Sequence, residues 1–183
     1  MERAAHTVVF PNDYLQEFAD IFDRDRPPQE PTVYVCAQSR CERREGWPER
    51  EPRCVMAKAP AAPEPGHNEV GMWRGLETVA LARLRSHGIL AADDEVLWRR
   101  NPRDLARRFE GSRGAIYGAA SNSKSAAFQR PANEVETVPG LFLASGTAHP
   151  GGGVPMAALS GIAAARAAHA RLGARRRATG FAT

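Results

Sequence analysis

A single short stretch concentrates residues that could hold a ligand. Gly146, Thr147, His149, Pro150 and the run Gly151-Gly152-Gly153-Val154-Pro155-Met156 follow directly on the apolar stretch Leu141-Phe142-Leu143-Ala144. Glycines at 146 and 151 to 153 let the backbone approach a ligand closely, because no Cβ intervenes. Pro155 stands where a helical pattern begins. The free N–H groups of that first turn point back toward the glycine loop, and the helix dipole adds partial positive charge there. Such a terminus stabilises an anion, or a ring that becomes anionic on reduction. The plain alternative is a strand–helix turn whose glycines serve only geometry, and spacing alone leaves both open. His149 is the candidate acid or base of the stretch, since an imidazole titrates near neutrality. The simpler reading, which is preferred, is that His149 shapes the loop.

Other elements must position this stretch. Residues 7–10 read as a short strand. Asn12 is a plausible N-cap for an amphipathic helix over 13–23, with Tyr14, Leu15, Phe18, Ile21 and Phe22 at helical spacing. Thr32 to Ala37 and Cys54 to Ala57 read as strands, separated by a polar loop over 38–52. Trp73, Leu76, Val79, Ala80 and Leu84 recur at helical spacing, with Gly88 suited to the C-terminal cap. Glu95 to Trp98 is a candidate strand. Asn101-Pro102 is a helix start, and Arg113 to Tyr117 a short strand. Residues 118–137 read as an extended loop, Leu141 to Ala144 as a buried strand, and Pro155 to about Leu172 as a long alanine-rich helix. A basic, frayed tail follows from Gly173. Trp73 and Trp98 are expected in the core, as are Cys36 and Cys54.

The bulk properties narrow the function classes. The chain has 183 residues, 25% charged and 43% hydrophobic, with a mean hydropathy of -0.44. That length suffices for a real core, and the composition is that of a globular protein. The net charge of +4 comes largely from arginine runs such as Arg175-Arg176-Arg177. No aromatic residues interleave with these runs and no nucleic-acid module is present, so a solvated basic surface is expected, with anionic lipid second. The three cysteines fit no paired zinc spacing, so no metal is expected. Their odd count argues for a reducing compartment. No run approaches the about 20 apolar residues of a spanning helix. The expected location is cytoplasmic, with peripheral contact on the inner membrane face open.

The run Gly140-Leu141-Phe142 through Gly146-Thr147, His149-Pro150-Gly151, Gly153, Pro155 and Ser160-Gly161 resembles the C-terminal flavin-binding signature of the phytoene desaturase family, within the amine-oxidase-like flavoproteins. Upstream, His6 to Phe10 with Asp13-Tyr14 and Glu17-Phe18 is similar to another family stretch. So are Asp25 to Ala37, Arg113 to Gly118 and Phe128-Gln129-Arg130-Pro131. Val35-Cys36-Ala37-Gln38 and Val154 to Leu159 look most like the hydroxyneurosporene and methoxyneurosporene dehydrogenases, the acyclic carotenoid 3,4-desaturase branch. Lys58 departs from the small polar residue usual before Ala-Pro, and Ser39 from a common aspartate.

The resemblance implies an α+β fold, a fragment of a two-domain flavoprotein. Residues 1–138 would belong to the substrate domain, a mixed sheet with helices. Residues 139–172 would be the last strand–turn–helix of a Rossmann-like FAD domain, with 173–183 a basic tail. It implies FAD as cofactor, Gly146 to Met156 lining its isoalloxazine, and an acyclic carotenoid as substrate, with Tyr117 and Phe128 as candidate tunnel walls. It implies desaturation by hydride transfer to the flavin. The G-x-G-x-x-G fingerprint that cradles the FAD pyrophosphate does not occur. The expectation is therefore a truncated or split-gene portion that binds FAD weakly alone and needs an N-terminal portion on a separate chain. The competing readings are a non-catalytic remnant or complementing subunit, and another amine-oxidase-like flavoenzyme such as a retinol saturase relative.

Overall fold

The computed structural model describes residues 4–41, 51–64, 69–118, 125 and 129–178. They divide into two compact units, one up to Gly114 and one from Ala115 onward.

The first unit is a three-stranded antiparallel sheet with helices, a small mixed α/β body. Strand β1 (His6–Val9) pairs with β2 (Val33–Ala37), and β2 with β3 (Arg53–Ala57), in the order β1-β2-β3. Alternation along β2 sends Val33, Val35 and Ala37 to a buried face. Helix α3 (Glu69–Ser86) covers that face. Its buried residues Trp73, Leu76, Ala80 and Leu84 recur every third or fourth position and form one stripe. Ala80, Leu84 and Leu90 close a core with Val9, Val33 and Val35. Fully burying each Val or Leu contributes about 1.5–3 kcal/mol. Gly88, at φ +64, ends α3, and the Ile89 N–H donates back to the Leu84 carbonyl.

The opposite sheet face is open. Register places His6, Cys36 and Cys54 in one row and Val8, Tyr34 and Met56 in the next. The cysteines therefore alternate with the core valines rather than joining them. Cys54 is exposed and Cys36 half-buried, against the core placement expected of both.

Helix α1 (Tyr14–Phe18) starts at Asp13, whose side chain accepts from the Gln16 N–H, so Asp13 and not Asn12 is the cap. Asn12 instead donates its N–H to Glu30. After α1 the chain widens into one π-helical turn, Ala19–Asp23, inside the segment expected to be uniformly α. A short helical turn, α2 (Gln38–Cys41), opens the polar loop. Helix α4 (Pro102–Arg108) begins with a reciprocal capping box between Asn101 and Asp104, as the Asn-Pro signal implied.

Two expected strands do not form here. Residues 95–98 take no strand conformation, and Trp98 is 70% exposed with Arg100 over its ring, so it is not core. Residues 113–117 form turns, because Arg113 and Gly114 adopt φ +49 and +84, which break an extended run.

In the second unit, helix α5 (Val154–Ala178) runs past Leu172, so helix and not frayed tail occupies 173–178. The expected buried strand at 141–144 reduces to one bridge, Glu134 with Phe142, and Leu141 is 43% exposed. Residues 133–135 supply its only pairing partner among the described residues, by Val135 N–H to Leu141 O and Leu143 N–H to Asn133 O.

Candidate functional site

The glycine-rich stretch forms a loop between that hairpin and α5. Gly140, at φ +93, turns the hairpin, and the Leu141 N–H closes it on the Val138 carbonyl. From Ser145 the chain folds on itself. Thr147 N–H donates to Ser145 Oγ, and Ala148 N–H to Ser145 O. Ala148 is buried. The His149–Pro150 peptide that follows is cis.

Side chains from 130 to 133 hold this loop from outside it. Arg130 Nη1 donates to the Gly146 carbonyl at 3.1 Å, and its guanidinium lies 3.3–3.6 Å from where a Cβ on Gly151 would stand. His149 N–H donates to the Pro131 carbonyl. The Asn133 amide reaches Leu143 O, His149 O and Ser160. Ser160, fully buried on α5, accepts the Ser145 N–H.

The Tyr117 ring lies against the loop. A Cβ on Gly152 would meet it at 2.7 Å, so glycine is required for this approach. Gly118 has the same relation to the Thr147 methyl, which a Cβ there would overlap. Gly153, at φ +96, faces open space instead. Val154, Pro155 and Met156 follow, exposed, as the first turn of α5. The N–H groups of Val154 and Met156 have no carbonyl within the helix to reach, whereas the Ala157 N–H closes on Gly153 O. Within the stretch from Gly146 to Met156, Ala148 and Gly151 are buried, and its end, Gly153 to Met156, is exposed and carries the amide donors of the first turn. His149 has an exposed ring, and its backbone is held on both sides. Phe128 lies outside the described residues.

The first unit carries a second polar centre. Tyr14, Glu17 and Phe18 lie in the family-like stretch quoted above and Lys58 is the departure noted there, but nothing in the sequence joined them. Glu17 is 1% exposed and accepts from the Thr32 N–H and hydroxyl. Lys58 Nζ donates to Glu17 at 3.2 Å and to the Tyr14 hydroxyl at 3.0 Å, and lies over the Tyr14 and Phe18 rings. Burial works against the Lys58 charge, but those bonds from Tyr14 and Glu17 outweigh it and hold the ammonium above its ordinary pKa. Beside it is a cavity of about 410 Å³ lined by Phe18, Ile21, Phe22, Asp25, Lys58, Ala59 and Ala61. Phe10, Tyr14, Phe18 and Phe22 form a ladder of ring contacts, in which Phe10 extends the helical spacing already read for Tyr14, Phe18 and Phe22. Lys58 and Glu17, 41 residues apart, share no sequence signal.

Among the described residues no group of His, Cys, Asp and Glu could hold a metal ion, and no helix is long and apolar enough to cross a membrane.

No protein-family model matches the chain. Individual proteins do. The chain is 37% identical over 168 residues to hydroxyneurosporene desaturase of Rubrivivax gelatinosus, covering 91% of this chain and 32% of that protein. It is 39% identical over 168 residues to the Rhodobacter capsulatus protein of the same name, covering 91% and 33%. The 1-hydroxycarotenoid 3,4-desaturase of a Flavobacterium species matches at 33% over 161 residues, covering 85% and 32%. The chain spans about a third of the length of the curated relatives it matches. Over about nine-tenths of its own length the chain is thus similar to one stretch of these carotenoid desaturases. Its similarity to the hydroxyneurosporene desaturases, at 36–39% identity, exceeds that to the Flavobacterium protein.

Proposed function

We propose that this chain is part of an FAD-dependent desaturase of acyclic carotenoids, contributing the isoalloxazine end of the flavin site and part of the substrate domain. The carrying observation is the exposed end of the Gly146–Met156 stretch, where Gly153 faces open space next to the amide donors of the first turn of α5. Residues 139–172 supply the flavin-facing hairpin end, loop and helix. The residues fit the group. Gly153 leaves room for a flat ring, and the α5 terminus favours the negative charge that a reduced flavin carries. Bound FAD would supply the hydride acceptor that introduces a double bond into the polyene.

The chain's own residues bind and orient. Val154 and Met156 offer backbone N–H groups, and Gly153 allows close approach, while Gly151 and Gly152 admit the Arg130 and Tyr117 side chains that back the loop. Tyr117 offers an aromatic wall, the role read for Phe128 as well. His149 keeps the loop-shaping role. Relatives are named as desaturases of hydroxyneurosporene and of 1-hydroxycarotenoids, which favours hydroxylated carotenoids as the substrate class of the assembled enzyme. An apolar substrate also favours peripheral contact with a membrane surface. The second reading, a complementing subunit of a split desaturase, shares the same site.

Titrating the purified chain into FAD, followed by visible absorbance, tests the proposal. A saturable change in the flavin band that is lost in Gly153→Val supports it. An unchanged flavin spectrum across the whole titration overturns it.

A further inference from the structure

We infer that Asn133 is the positioning residue of the flavin loop, acting through the hydrogen-bond donors of its side-chain amide; the inference rests on the flavin reading above. Its Nδ2 lies 2.8 Å from Ser160 Oγ, 3.0 Å from Leu143 O, 3.0 Å from His149 O and 3.3 Å from Ser160 O. Three of these four neighbours are carbonyl oxygens, which only accept, so this end of the carboxamide is the NH₂ group.

The partners lie at three separate points of the loop. Leu143 precedes it, His149 stands before the cis peptide in its middle, and Ser160 is on α5 beyond it. One side chain therefore ties together entry, middle and exit. Ser160 relays the hold, because its hydroxyl accepts the Ser145 N–H at 3.2 Å. Tyr117, Arg130 and Asn133 approach the loop from its N-terminal side in sequence, but only Asn133 joins all three points. With Asn133 in place, the glycines present the amide donors of α5 in one arrangement; without it, they are free to reorganise.

The chemistry separates Asn133 from a packing residue. Aspartate has the same shape but, when ionised, only accepts. Asn133→Asp would set a carboxylate against acceptors, raising its pKa, and would regain one donor on protonation. The charged and titratable groups around it are the Arg130 guanidinium, the Glu134–Arg171 ion pair and the exposed His149 ring. Wild type carries all of them, so its pH profile subtracts their effects.

The experiment uses amide-resolved NMR of the whole 183-residue chain, with lumiflavin as the probe because it needs no pyrophosphate site. Wild type is expected to bind with little dependence on pH, read from the amide shifts of Gly151 to Met156. Asn133→Ala should bind about tenfold more weakly or worse at every pH, the scale of one lost hydrogen bond. Asn133→Asp should match it at neutral pH and regain affinity on acidification. The Val135 and Leu141 amides, hydrogen-bonded in the hairpin of the same unit, report its folding. Asn133→Asp binding as tightly as wild type at neutral pH, or failing to recover in acid, overturns the inference. If wild type itself ignores lumiflavin, the flavin reading falls. The hold is then still decided by whether Asn133→Asp loses Ser145 amide protection at neutral pH and regains it in acid.

Discussion

The Glu17 carboxylate accepts both the backbone N–H and the hydroxyl of Thr32, at 2.6 and 2.5 Å, and thereby fixes α1 to the start of β2. Lys58 adds the counter-ion from beyond β3. Glu17→Ala should remove about 3–5 kcal/mol of stability, because it leaves the Thr32 donors and the ammonium unpaired. Glu17→Gln, which keeps one acceptor, should cost about 1–3 kcal/mol. Urea denaturation of the three proteins measures the difference. Equal losses in both variants would count against this account.

Asp20 predicts an acid-labile limb. Burial works against its charge, but hydrogen bonds from Arg26 and Arg24 outweigh it and hold the carboxyl below its ordinary 3.8. A carboxyl with a depressed folded pKa stabilises the fold fully above its unfolded value. That stabilisation is lost as pH falls through the folded value. Stability should therefore decline below pH 3.8, and Asp20→Asn should be less stable at neutral pH with a shallower acid decline. Glu30, held below 4.5 by the Asn12 N–H against burial and with help from Arg83, should leave part of the slope. Denaturant midpoints measured from neutral to acid pH check both.

Two glycines should respond to alanine with opposite signs. Gly75 lies within α3, and a Cβ there meets nothing within 4 Å, so Gly75→Ala should stabilise by about 0.5–1 kcal/mol. Gly114 has φ +84, and a Cβ there would overlap the Pro102 carbonyl. Gly114→Ala should cost at least about 1–3 kcal/mol. Thermal midpoints of the two variants decide the pair, and a stabilised Gly114→Ala would contradict the left-handed turn.

The elements readable in sequence were those whose signal is local. A β-branched and aromatic run marked β2, helical spacing marked α3, and Asn101-Pro102 marked α4. What failed depended on partners. Leu141 to Leu143 have the composition of a buried strand but find only 133–135 beside them among the described residues. Cys36 and Cys54 look like core residues, yet register turns them to the uncovered sheet face. The residues of the glycine loop were legible because their backbone demands are encoded in their own types. Asn133 and Ser160, which hold that loop across 27 residues, were not singled out as a pair, because a hydrogen bond between distant polar side chains leaves no periodic trace.

Helix α5 owes little to its surroundings. Between Val154 and Ala174, only Ser160 and Ala164 are buried, while Leu159, Ile162 and Leu172 lie about half exposed or more. Its 25 residues exceed the about 12–15 at which an alanine-rich helix holds in water. Heating should therefore uncouple two signals. Near-ultraviolet ellipticity from the packed aromatics should vanish in a cooperative step, while helical far-ultraviolet ellipticity should fade gradually beyond it. The denatured ensemble would thus retain a nascent helix, from which refolding of the loop could begin.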